Sequence, residues 1–141
     1  MRNLRVPVFA LSIATGLAAC GSDRSTSPSP HALDGPWSTH LSGVGLVLDL
    51  EWSADSVKGT GTYTVIGNTL GCGGSTLTGN GSLTLAAART SASSIRGTMR
   101  FDNGWAPPYD GRLVESSRID GAFRSIDAGS CPLTLYHGLV P

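Results

Sequence analysis

From residue 34 onward the apolar residues fall on alternate positions, and a period of two is the mark of a half-buried β-strand, whose successive side chains point to opposite faces of a sheet. Val44, Leu46, Leu48, Leu50 and Trp52 share one parity, while Asp49 and Glu51 take the other. Val57, Gly59, Gly61, Tyr63 and Val65 repeat the scheme against Lys58, Thr60, Thr62 and Thr64. Later runs keep it: Leu77, Leu83 and Leu85; Ile95, Met99 and Phe101 against Arg96, Thr98 and Arg100; Ile119 and Phe123 against Arg118, Asp120 and Arg124. No stretch in this region has the 3.6-residue period of a helix, so the domain is expected to be all-β.

Eight strands are predicted, near residues 35–41, 44–52, 56–66, 76–88, 94–102, 110–115, 118–126 and 131–139, joined as an antiparallel up-and-down meander. Eight strands close into a small barrel, and closure removes the exposed edges that invite aggregation. A weak repeat places a glycine soon after each of three strand starts, at Gly59, Gly97 and Gly121. On the inward parity, a missing side chain lets a strand bend or a neighbouring ring fill the space. Gly79-Asn80-Gly81 reads either as a hairpin turn splitting the fourth strand or as a bend within it; the shared parity of Leu77 and Leu83 favours the bend. In a meander the short connections at 53–55, 89–93 and 116–117 share one closed end. The opposite, open end collects Ser42-Gly43, a long Gly67–Ser75 loop, the Asn103–Tyr109 loop and Asp127–Ser130.

The first twenty residues read differently. Arg2 and Arg5 precede an apolar run from Val6 to Ala18, too short for a spanning helix and flanked like a cleaved signal. Leu17-Ala18-Ala19-Cys20 resembles the lipobox of bacterial lipoproteins. That resemblance implies a signal peptide over 1–19, acylation of Cys20 and attachment to a membrane through the N-terminal lipid. Gly21 and Ser22 after the cysteine lack the aspartate that retains some lipoproteins at the inner membrane, so the resemblance points to the periplasmic side of the outer membrane. Residues 20–33, rich in Ser, Pro and Asp, are expected to form a flexible tether, leaving 34–141 as the barrel domain.

Removing Arg2 and Arg5 with the signal leaves eight basic residues against ten acidic ones. The basic residues are spread singly, and Lys58 is the one lysine, so the clustered basic face of a nucleic-acid binder is not expected. With Cys20 assigned to lipid, Cys72 and Cys131 remain in an oxidising compartment and are expected to form a disulfide worth roughly 3–5 kcal/mol. A metal or redox site fits these two poorly, as they are distant in sequence and lack a C-x-x-C spacing or a nearby histidine pair.

Gly35-Pro36-Trp37 enters the first strand, and together with the meander it resembles the calycins, the superfamily of lipocalins, fatty-acid-binding proteins and avidins. The resemblance implies that Trp37 lies under the barrel floor, where the meander also puts it. The last strand carries Tyr136 and His137 where lipocalins place a basic partner for that tryptophan, and the polar residues with which avidins hold biotin do not map. Neither family's ligand transfers.

Trp105, Pro107, Pro108 and Tyr109, with Asn103 beside them, place aromatic and rigid residues at the open rim, a composition suited to a small apolar ligand, a sugar or a partner protein. The alternative is a loop packing its own side chains over the barrel end. Asp102, Asn103 and Asp110 lack the spacing of a Ca²⁺ loop and read as turn chemistry. His40 and His137 would be at most two ligands, short of a metal site, and Asp49 and Glu51 read as surface charge. With no G-x-S-x-G, H-E-x-x-H or P-loop, no catalytic residue, metal or cofactor is expected. The function expected is that of a lipid-anchored envelope protein binding a small hydrophobic ligand at the open end. The alternative is a structural or protein-interaction module with a solid apolar core.

Overall fold

The structure, a computed structural model, describes residues 29–39, 41, 43–72, 75–125 and 129–138. The signal, Cys20 and most of the expected tether lie outside that range. One 3₁₀ turn, Pro30–Leu33, leads into nine strands: β1 (Gly35–Ser38), β2 (Val44–Trp52), β3 (Ser56–Cys72), β4 (Ser75–Arg89), β5 (Ser94–Phe101), β6 (Pro108–Glu115), β7 (Arg118–Ser125), β8 (Gly129–Pro132) and β9 (Leu135–His137). From β1 to β7 each strand pairs antiparallel with the next. β7 then pairs with both β8 and β9, which are two segments of one stave interrupted at Leu133 and Thr134. β9 returns to β1, so eight staves close an up-and-down barrel, an architecture compatible with a calycin-like fold. The closing seam is short: Trp37 faces His137 and Ser38 faces Tyr136.

Alternation becomes burial as the parity requires. Along β2 every second residue from Val44 to Trp52 is buried and those between are exposed. The same parity buries Val57, Tyr63 and Val65, then Leu83 and Leu85, then Ile95, Met99 and Phe101, and these merge into one apolar core. Leu48, Tyr63, Leu85, Met99 and Phe123, from five different strands, all belong to it. The inward glycines make room for tight curvature. A Cβ on Gly97 would overlap the Ala86 carbonyl and the Ala87 backbone, and one on Gly121 would overlap the hydroxyl end of the Tyr109 phenol. In both places the space belongs to a neighbour, which is how a small barrel fits large rings between closely coiled strands.

Several boundaries differ from expectation, among them β1, which ends at Ser38 and not near residue 41. Leu33, the last residue of the expected tether, is instead buried in the core at the end of the 3₁₀ turn Pro30–Leu33. β6 begins at Pro108, two residues early, which carries Tyr109 into the strand as an inward residue alongside Gly111. The expected Gly67–Ser75 loop is instead the end of a long hairpin: β3 and β4 run together to Cys72 and Ser75, with a register shift between Val65 and Leu70. β4 is continuous through Gly79-Asn80-Gly81, bent at Gly79 with φ of 75°. Four β3 residues there oppose a single residue of β4, so the outer hairpin is kinked relative to the wall. Leu77, beyond the kink, is fully buried in the core. The outer hairpin therefore folds toward the barrel interior rather than away from it, and β3 touches β8 across the ring.

Candidate functional site

The closed end is plugged by the segment entering the barrel. Trp37 is fully buried, and its indole Nε1 donates to the Leu33 carbonyl at 3.0 Å, so the ring's one polar atom is satisfied. Trp52 lies against it at 6.3 Å between ring centroids, and His137 from the last stave at 4.9 Å, within contact for inclined aromatic rings. The Trp52 backbone amide donates to Asp34 Oδ1 at 2.7 Å, and His31 Nδ1 lies 3.0 Å from Asp34 Oδ2. These bonds, the Trp52 amide first and His31 second, hold the Asp34 carboxyl below its ordinary value. Trp37 is thus enclosed at the end of the barrel where β2 finishes, between Trp52 and the inclined ring of His137 from the last stave.

At the open end the rim residues singled out by sequence do not form one exposed surface. Trp105 is half-buried, its ring stacked on Phe101 at 4.9 Å and edge-on to Phe123 at 5.3 Å. Phe101 in turn meets Tyr63 at 5.4 Å, and Tyr109 meets Phe123 at 5.8 Å. Pro107 and Tyr109 are buried, while Pro108 is exposed on the outer face. Tyr109 donates its hydroxyl to the Leu133 carbonyl at 3.2 Å, and burial pushes its phenol far above the usual range. Asn103 faces its own turn: its Oδ1 accepts from the Trp105 amide at 2.9 Å and fixes where that ring enters. Tyr109 was detectable as an inward residue, because 109, 111 and 113 continue one parity; the proline pair before it suggested a loop.

Asp102 ties this end together. Its Oδ1 accepts from the Tyr63 hydroxyl at 2.9 Å and its Oδ2 from the Ser82 amide at 2.6 Å, with the carboxyl seated over Gly81, where a Cβ would displace it. Chiefly through the Ser82 amide, and next through Tyr63, those bonds lower the Asp102 carboxyl; Tyr63 is raised, mainly by its removal from water. Asp110 is engaged elsewhere, with Arg96 and Arg124 on the outer wall, so Asp102 and Asp110 do not converge on a cation. His40 lies outside the described residues, and His137 belongs to the floor. Among the described residues no three His, Cys, Asp or Glu side chains group as metal ligands.

Asp49 and Glu51 line a shallow groove on the outer face of β2, β3 and β4 with Lys58, Thr60 and Thr84. It mixes charges on an open wall and brings together no nucleophile and base. Cys131 is half-buried on β8 against the core, and Cys72 ends β3, the strand that touches β8. No family model, curated protein or solved structure matches this chain.

Proposed function

We propose that the chain is a bacterial envelope lipoprotein, acylated at Cys20, whose barrel is a solid-cored module that engages partners through its outer surface. The single observation that favours this over a ligand carrier is the occupied mouth. Trp105 inserts against Phe101 and Phe123, and Leu77 of the outer hairpin is fully buried, so among the described residues the chain's own side chains occupy the end where a small apolar ligand would enter. Support for the anchor is the lipobox-like Leu17-Ala18-Ala19-Cys20 and the Ser- and Pro-rich segment that follows. A calycin relationship is supported by Gly35-Pro36-Trp37 and its place at the floor of an eight-stave barrel.

We further propose that Cys72 and Cys131 are joined, pinning the outer hairpin over the mouth. Cys131 carries a sulfur bond, and the strands bearing the two cysteines meet. The test is native mass spectrometry of the chain from Asp23 onward, purified unreduced from a bacterial periplasm. A bare polypeptide lighter by two hydrogens than the reduced chain is the expected result. A retained hydrophobic mass would overturn the solid-core reading, and two free thiols would overturn the pairing. Mass analysis of the membrane-extracted protein tests the anchor, with an acylated N-terminal Cys20 expected.

A further inference from the structure

Basic residues that are dispersed along the sequence converge on one wall of the barrel. Arg96 and Arg100 of β5, Arg112 of β6, and Arg118 and Arg124 of β7 all take the outward parity of three adjacent strands. The acidic residues of that wall are Asp110, Glu115 and Asp120, so cations exceed anions by two. The rest of the barrel has the opposite balance: β2, β3 and β4, with the segments leading into them, hold Asp34, Asp49, Glu51 and Asp55 against Lys58 and Arg89. Asp102, just past β5, is turned to the mouth and bound by Tyr63 and Ser82. Among the described residues the barrel is therefore electrically two-sided, with arginine alone supplying the positive side, while Asp127 after β7 lies outside the described residues.

Asp110 arranges two of these arginines without consuming them, whereas Arg118 is taken up by Asp120, its Nε 3.2 Å from Oδ1 and its Nη2 3.4 Å from Oδ2. Asp110 stands between Arg96, whose Nε is 2.9 Å from Oδ1, and Arg124, whose Nε meets Oδ2. Each guanidinium is held through Nε, so its two Nη groups have no partner among the described residues. Arg100 and Arg112 make no ion pair among the described residues at all. Guanidinium groups with free Nη pairs match phosphate oxygens in a planar, two-point fashion that a lysine cannot reproduce. Between them stand short side chains, Thr98 and Ala122, and the arginines span three strands, about 10 Å across at the usual strand spacing. This is a spread array on a convex wall, suited to many separate phosphates in a plane rather than to one bound molecule.

We propose that the β5–β7 wall rests on an anionic, phosphate-bearing lipid surface. The inference goes beyond the interaction-module reading and draws on its membrane anchor only for the nearness of that surface. Each arginine adds about fivefold to the affinity for an anionic bilayer, a weak attraction that becomes effective when a tether already confines the domain there. Docking through this wall would turn the acidic β2–β4 side away from the membrane.

The test uses the unlipidated chain from Gly21, which retains every described core residue, and vesicles of phosphatidylcholine with or without about one-third phosphatidylglycerol. Co-sedimentation is expected with the anionic vesicles at about 0.02 M salt and is expected to vanish near 0.3 M, where screening shortens the range of surface charge. The double variant Arg100→Gln/Arg112→Gln, at two arginines that make no ion pair among the described residues, should bind about twenty-five-fold more weakly with an unchanged melting curve. Lys58→Gln on the other side should bind like the parent. No binding to either vesicle, equal binding to both, an unaffected double variant, or capture of soluble polyphosphate or nucleic acid without vesicle binding would each overturn the proposal. Because the chain in this test has no acyl group, such a failure leaves the Cys20 reading to its own mass measurement.

Discussion

At the floor, Trp37 is enclosed by residues close to it in sequence, Leu33 and Asp34 before it and Trp52 at the end of the next strand, with His137 as the one distant contributor. At the mouth, Trp105 stacks on Phe101, four residues before it, and meets Phe123 from the distant β7, in the core that Leu77 and Tyr63 of the long hairpin share. The floor ring is fully buried and its indole N–H is bonded; the mouth ring is half-buried and positioned through a turn. One plug is built by local chain geometry, the other by assembly of the whole barrel. The floor is therefore the structural end, and the mouth is the end where exchange with the surroundings costs least.

That contrast is open to direct measurement. The largest effect is expected from Trp37→Ala, which empties the floor and should cost about 3–5 kcal/mol in urea unfolding, enough to threaten a small domain. Reduction of the proposed Cys72–Cys131 bond should cost about 2–4 kcal/mol and, if the bond holds the hairpin down, should accelerate proteolysis there before it affects the floor. Trp105→Ala should cost less, about 1–2 kcal/mol, because part of that ring already faces water. A Trp105→Ala loss equal to that of Trp37→Ala would break the comparison and make the mouth part of the same rigid core.

The smallest effect concerns acid. Asp34 at the floor and Asp102 at the mouth both have carboxyls held below the ordinary 3.8, so each contributes stability that is complete above about that pH and is lost as pH falls toward its folded value. Thermal melts from pH 5 down to 3 should therefore show a falling midpoint. Asp34→Asn and Asp102→Asn should each flatten part of that slope, and a slope unchanged by either would place the acid sensitivity elsewhere.

How much of this was legible beforehand follows the same division. The buried parity of β2, the inward glycines at 59, 97 and 121 and the floor position of Trp37 could all be read from short windows, because each depends on residues adjacent along a strand or across one turn. The inward course of Trp105 could not, since it depends on Phe101 and Phe123, which strand pairing brings together from either side of β6. The kinked hairpin was hidden for a related reason. Residues 66–76 show no clean alternation, and their strand character comes from pairing across the tip. The arginine wall escaped notice because one arginine every few residues looks dispersed until three strands are laid side by side.

The short seam has a consequence for how the molecule is made. Every other pairing joins neighbours in sequence, so the meander can zip up hairpin by hairpin with little loop entropy to overcome, whereas Trp37 and Ser38 must wait for His137 and Tyr136 of the barrel's eighth stave. Until then the first stave is paired on one side only, with β2, and the tryptophan of the floor lacks its His137 neighbour. Seam closure should be the final step of folding, and amide exchange in β1 and β9 faster than in β2–β4 would report how readily the short seam reopens.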